Sequence, residues 1–298
     1  MNGKVAMNSS AERTQPVLVC VDGSDETIAA TRWAASYAAR VHAPLRIVHT
    51  VPSGDWYGSA AFVDGGELEE GLRSDGRGHL ARASKAALSA SPGLSIETVL
   101  ADGSLADFVA TVQAELIVLG TARTNYAHEI ALGSNTIRVV NHTQSPVLVW
   151  RPGVESVDTG RPIVVGVDGS EASTRAFAVA LEMAHTLDAP IVAANYWGLA
   201  IAGGMGSGAG YIDWSKVRAD EQSWLDTQVE VMGDKYPDVT VTTESLESSA
   251  ARGLRALSST ARIVAVGSRG RGVLRGAALG SVSQSLVHHA ECSVLIVR

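Results

Sequence analysis

Near the C-terminal end, the chain carries a residue spacing suited to holding an anion. Gly267-Ser268-Arg269-Gly270 is followed by nine residues and then by Gly280-Ser281-Val282-Ser283. Glycine lets backbone approach a ligand closely and turn through positive φ, which is the role expected of Gly267 and Gly270. A helix opening at Gly280-Ser281 would offer unpaired N–H groups and a positive dipole end, both of which suit phosphate. Arg269, Arg271 and Arg275 add positive charge to the same loop. A nest of amides with hydroxyls beside it is enough to hold a polyphosphate. A plainer reading fits the same residues: Ser281 with Gln284 forms a capping box, and the glycines are turn residues.

Asp168 ends an apolar run in the same half. A carboxylate beside phosphate would repel it, so a ligand role for Asp168 points to the sugar or base of a nucleotide. The alternative is an Asp-Gly turn leading into a helix, with Ser170 as its cap. Other groups offer less. His288-His289 sit late in a helical pattern, where cations complement the dipole, and no further ligands gather around them. His128-Glu129 reads as an exposed loop pair. Gly203 to Gly210 is glycine-rich but lacks the lysine of a P-loop, so it reads as a flexible linker. The tryptophans at 33, 56, 150, 197, 214 and 224 are scattered and fit packing better than base stacking.

The elements that would position these groups occur twice. Pro16-Val-Leu-Val-Cys-Val-Asp-Gly-Ser24 matches Pro162-Ile-Val-Val-Gly-Val-Asp-Gly-Ser170 at an offset of 146. Leu116–Gly120 matches Ile263–Gly267, Gly133-Ser134 matches Gly280-Ser281, and Pro146–Trp150 matches Ser293–Val297, all at 147. Such ordered self-similarity marks a duplicated domain. It gives a tail over 1–15, a first domain over 16–150, a linker over 151–161 and a second domain over 162–298. In the second half, strands are expected near 163–167, 191–196, 239–243, 263–266 and 293–297. Helices are expected near 171–187, 213–233, 250–258 and 281–289. Continuous apolar strands alternating with amphipathic helices give two doubly wound, Rossmann-like α/β domains. Each is expected to hold a five-stranded, mostly parallel sheet flanked by about four helices. Ligands of such sheets sit beyond the carboxyl ends of the strands, which is where the loops carrying Asp22 or Asp168 and the glycine motif fall.

Composition narrows the class. With 298 residues, 46% hydrophobic and 18% charged, the chain has ample core for two domains. Its formal charge of −7 argues against nucleic acid as a partner. Cys20 and Cys292 lie far apart in apolar runs and read as buried thiols in a reducing compartment. Met1–Gln15 is polar and reads as a disordered tail, not a signal peptide. Ala189–Ile212 carries no charge, but its glycines argue against a membrane span. A cytoplasmic protein is the resulting expectation.

These blocks resemble the universal stress protein family. Its ATP-binding members carry glycine, two residues, glycine, nine residues, then glycine followed by serine or threonine. Gly267, Gly270, Gly280 and Ser281 meet every fixed position, and the resemblance runs from about Pro16 to Arg298. It implies ATP, with or without Mg2+, as ligand. Asp168 would contact the nucleoside, and Gly267, Gly270, Gly280, Ser281 and Val282 would surround the phosphates. Val266 and Ser283 flank these positions and complete the candidate set. Asp22, Gly120, Gly133 and Ser134 are the first-half counterparts. There the pattern departs: Gly120-Thr-Ala-Arg123 puts arginine where the second glycine belongs, which ranks the second half above the first. Arg123 would strain the turn or serve as a phosphate donor itself. The family also pairs through its last strands, either between chains or, in tandem forms, within one chain.

No catalytic pair accompanies the motif: the residues supply binding groups but no base, positioned water or metal-binding acids. The expectation is an adenine-nucleotide-binding regulator with an unidentified protein partner, its catalytic residues none. A slow ATPase or nucleotidyl-transfer enzyme and an interaction scaffold with vestigial sites are the alternatives.

Overall fold

The computed structural model describes residues 15–52, 65–121, 136–152, 160–197, 213–270 and 279–298. The first half runs β1 (Val17–Cys20), α1 (Asp25–Arg40), β2 (Leu45–Val51), α2 (Gly65–Ala90), β3 (Ile96–Asp102), α3 (Leu105–Ala110), β4 (Leu116–Gly120), α4 (136–142) and β5 (Val147–Trp150). The second half repeats the plan. It runs β6 (Ile163–Gly166), α5 (Glu171–Leu187), β7 (Ile191–Trp197), α6 (Trp214–Gly233), β8 (Val241–Glu247), α7 (Ala250–Leu257), β9 (Ile263–Gly267), α8 (Ser281–His289) and β10 (Ser293–Val297).

Strand burial follows position in the sheet. The central strands β1, β4, β5, β9 and β10 are aliphatic runs covered on both faces, as parallel strands between helix layers must be. β3 and β8 lie at the ends of the sheet and carry Glu97, Thr98, Thr242 and Glu244, polar residues that blunt an exposed edge. That polarity displaces β8 from the expected 239–243 to 241–247, because its apolar signal is weak.

Within each half the strands pair in parallel, in the order β3-β2-β1-β4-β5 and its counterpart β8-β7-β6-β9-β10. The halves do not form two separate sheets. β5 and β10 pair antiparallel, with Val149 opposite Val294 and Val147 opposite Ile296, and this gives one ten-stranded sheet. Each last strand covers the other's edge, and the side chains from Val147 to Trp150 and from Val294 to Val297 are buried. Full burial of such a side chain contributes about 1.5–3 kcal/mol.

Two equivalent arginines, one after each last strand, clasp this seam. Buried Arg151 donates from Nη1 to the Cys292 carbonyl (3.1 Å) and from Nη2 to the Val287 carbonyl at the end of α8. Arg298 donates to the Asn141 carbonyl (2.6 Å) and the Thr143 carbonyl (3.3 Å) at the end of α4. A cation at a helix C-terminus meets the negative end of the dipole, so each half caps the other's last helix. Arg151, placed by the sequence in a linker, is therefore a buried structural residue.

Both cysteines are buried and free, and burial raises their thiols, that of Cys292 to about 12. Among the described residues, no helix is long and apolar enough to cross a membrane.

Candidate functional site

The strand order reverses between β1 and β4, and between β6 and β9, so the chain leaves adjacent strands in opposite directions there and opens a cleft. Asp22 and Asp168 enter these clefts from the turns after β1 and β6. In these same turns Gly23 (φ +86°) and Gly169 (φ +77°) are left-handed. Ser24 and Ser170 then cap α1 and α5, accepting from Thr27 N and Ser173 N. The Asp-Gly turn with a serine cap is thus present in both halves.

The two carboxylates differ in their support. Asp22 Oδ1 accepts from Ser24 N (2.9 Å), Ser24 Oγ (2.6 Å) and Thr27 Oγ1 (2.9 Å). Partial burial works against its ionised form, but these bonds outweigh it and hold the carboxyl below its usual range. Asp168 Oδ1 accepts from Ser170 N (2.9 Å), and its Oδ2 lies against Gly270.

Gly267 and Gly270 do not adopt positive φ, contrary to expectation; close packing on backbone selects glycine at Gly267, whereas Gly270 faces only the tip of the Asp168 side chain. A β-carbon on Gly267 would lie 2.8 Å from Ala172 Cβ and 2.9 Å from Ser173 N, in the first turn of α5. One on Gly270 would collide with Asp168 Oδ2. Gly120 repeats the first case more loosely, 3.0 Å from Thr27 Cα and 3.1 Å from Ala30 Cβ. Gly120 and Gly267 bring the ends of β4 and β9 against the helix that follows β1 or β6.

The start of α8 is also built differently from a capping box. Gly280 is the N-cap (φ −70°, ψ 159°), and no side chain caps the helix. Gly280 N donates to the Ser268 carbonyl (2.8 Å), and Ser283 Oγ lies within reach of both that carbonyl (3.1 Å) and the Gly280 carbonyl (2.9 Å). Ser283 is buried, with its hydroxyl turned to the protein, so it positions the helix; Ser281 is exposed and Val282 half-buried. Val266 is buried in the sheet. Gly133, Ser134, Arg123, His128-Glu129, Gly203–Gly210, Arg271 and Arg275 lie outside the described residues.

The first-half cleft holds a cavity of about 560 Å³. Asp22, Thr27 and Gly120 line it, as do Thr50 of β2, Ser104 and Asp107 at the start of α3, and Thr136 and Arg138 of α4. His49 also reaches the wall, with its Nδ1 donating to the Val21 carbonyl (2.7 Å). Asp107 Oδ2 accepts from Ser104 Oγ (2.6 Å), so both acids of the cavity are held by neighbouring hydroxyls. Sequence reasoning passed over Thr27, His49, Thr50, Asp107 and Arg138. The internal repeat was the available signal, because it pairs these residues with different ones in the other half.

Strand register supplies that pairing. Val17 faces Leu45 as Ile163 faces Ile191, so Thr50 corresponds to Tyr196. The Tyr196 ring sits directly on the backbone of Gly253 in α7, leaving no room there for a β-carbon. Burial and the neighbouring Glu244 carboxylate push its phenol up to about 12. Leu254 comes within 2.9 Å of a β-carbon placed on Gly166, the counterpart of cavity-lining Cys20. In the second half, larger side chains thus lie over smaller backbone positions. Among the described residues, no group of three or more His, Cys, Asp or Glu side chains is gathered to hold a metal.

Comparison with known proteins agrees with this architecture. The model of the universal stress protein family matches residues 13–151 and again 160–298. The chain belongs to the universal stress protein family. A universal stress protein of Mycobacterium tuberculosis (strain H37Rv) is 30% identical over 303 residues, covering 97% of this chain and 99% of its own. One from Mycolicibacterium smegmatis is 28% identical over 295 residues, with 95% and 96% covered. The crystal structure of a universal stress protein from Archaeoglobus fulgidus superposes with a TM-score of 0.70 at 15% identity, covering 95% of this chain and 96% of that one. At that identity the likeness speaks for the fold, and it spans both halves.

Proposed function

We propose that this universal stress protein is an adenine-nucleotide-binding regulator, with ATP as its ligand. The observation that carries the reading is the first-half cavity, which lies at the switch point and is lined by Asp22, by Gly120 and by Thr136 and Arg138 of α4. About 560 Å³ lies within the range of about 300–1,000 Å³ typical of small-molecule sites. Asp22 suits the hydroxyl or N–H donors of a nucleoside, and the Gly133-Ser134 pair of the sequence, matching Gly280-Ser281, suits phosphate. Glycine spacing alone ranked the second half first; the cavity makes the first half a candidate in its own right, with Asp168, Gly267, Gly270, Gly280 and Ser281 as a second candidate site.

Regulation follows if the nucleotide binds one arrangement of the cleft-bounding loops better than another, because occupancy then shifts the surface offered to a partner. Mass spectrometry of the purified protein before and after mild denaturation tests the reading. The expected result is release of ATP or ADP in stoichiometric amount. Protein that carries no nucleotide and takes none up from millimolar ATP would contradict it.

A further inference from the structure

Arg138 lines the first-half cavity from α4. It is exposed, and its guanidinium has no hydrogen-bond or ion-pair partner among the described residues. The other ionisable groups on the cavity wall are differently placed. Asp22 is held by Ser24 and Thr27, Asp107 by Ser104, and His49 is committed to the Val21 carbonyl. The cavity therefore offers two satisfied acids toward α1 and α3 and one unsatisfied cation toward α4. A ligand complementary to that wall has hydrogen-bond donors at one end and an anion at the other. The offset of 147 that aligns Gly133-Ser134 with Gly280-Ser281 places Ser285 at the same position of the second half. The cation thus belongs to the half whose glycine motif is broken at Arg123.

We propose that Arg138 is the specificity-determining residue of the first-half cavity, selecting ligands that carry a phosphate chain over the bare nucleoside. A guanidinium gives a phosphate oxygen charge-assisted, two-pronged hydrogen bonds that no backbone amide matches. The proposal rests on the nucleotide reading for the nucleoside end of the ligand but stands by itself for the anionic end. It also predicts a salt dependence, because an exposed cation is screened.

Calorimetric titration of the full chain and its R138S and R138K variants with ATP, UTP, adenosine and inorganic tripolyphosphate tests it. R138S, which installs the second-half residue, is expected to weaken ATP and tripolyphosphate at least tenfold and leave adenosine unchanged. R138K is expected to recover part of the loss, and the R138S effect should shrink in high salt. ATP affinity unchanged by R138S, or adenosine weakened as much as ATP, would overturn the proposal. A wild-type chain that binds no phosphate compound would overturn it too. If UTP and tripolyphosphate bind as tightly as ATP and still depend on Arg138, the adenine reading fails while the proposal holds. Because the side chain is exposed, circular dichroism of R138S is expected to match wild type.

Discussion

The two halves of this protein share a backbone plan and differ in what fills the cleft. In the first half Cys20, Thr50 and Arg138 border open space. In the second half the corresponding positions are Gly166, Tyr196 and Ser285, with the Tyr196 ring on Gly253 and Leu254 reaching over Gly166. The second half keeps the glycine spacing, and the first half holds a cavity of about 560 Å³. Spacing therefore records how closely a strand end must approach a helix, as Gly267 does against Ala172, and cavity volume depends on side chains elsewhere on the sheet.

The strongest way to break the symmetry of the halves is through the seam. Arg151→Ala is expected to cost about 3 kcal/mol, because it removes a buried guanidinium and leaves the Cys292 and Val287 carbonyls without it. Arg298→Ala, with its part-buried counterpart, is expected to cost about half as much. Urea denaturation of both variants checks the pair, and equal losses would mean that the clasp is symmetric in energy as well as in plan. Next come the packing glycines. Gly267→Ala is expected to destabilise by about 2–3 kcal/mol and Gly120→Ala by about 1 kcal/mol, since the first meets backbone at 2.8 Å and the second at 3.0 Å. Reversed order in thermal unfolding would contradict the packing account.

A cleft-filling substitution sharpens the contrast. Thr50→Tyr copies the second-half residue into the first and is expected to lower ATP affinity about tenfold, or roughly 1.4 kcal/mol, as read by calorimetry. Unchanged affinity would detach the cavity from binding. The smallest effect concerns acid. The Asp22 carboxyl is depressed in the folded chain, so the unfolded chain takes up the proton first as pH falls. Its contribution is whole above about pH 4, the usual aspartate value, and is lost as pH drops through the folded value. Asp22→Asn should therefore lose less stability than wild type between about pH 5 and pH 3 in urea midpoints; equal losses would show that the turn's hydrogen bonds do not depend on charge.

Most of the fold was legible because buried parallel strands are written as unbroken aliphatic runs, and these runs recur at a nearly fixed offset. Legibility fell at β8, where an edge strand carries Thr242 and Glu244 and its limits move. The joining of β5 to β10 was not readable from hydrophobicity, since an aliphatic strand fits either neighbour; the family resemblance supplied it. At the strand ends, type and spacing placed Asp22 and Asp168 in turns and the start of α8 at Gly280-Ser281, as the structure has them. The reason for the glycines was misread, because positive φ and close approach leave the same letter in the sequence: Gly23 and Gly169 take the first, Gly267 the second. Arg138 was missed because a lone arginine on a helix looks like ordinary surface until the repeat sets it against Ser285.

The central claim is that nucleotide sits at the strand ends of the first half, and a crystal structure grown with saturating ATP tests it most directly. The account predicts electron density for the nucleotide against Asp22 and Gly120, with its phosphates toward Arg138. A structure in which that cavity holds only solvent, while ATP is present throughout the crystal, would contradict it.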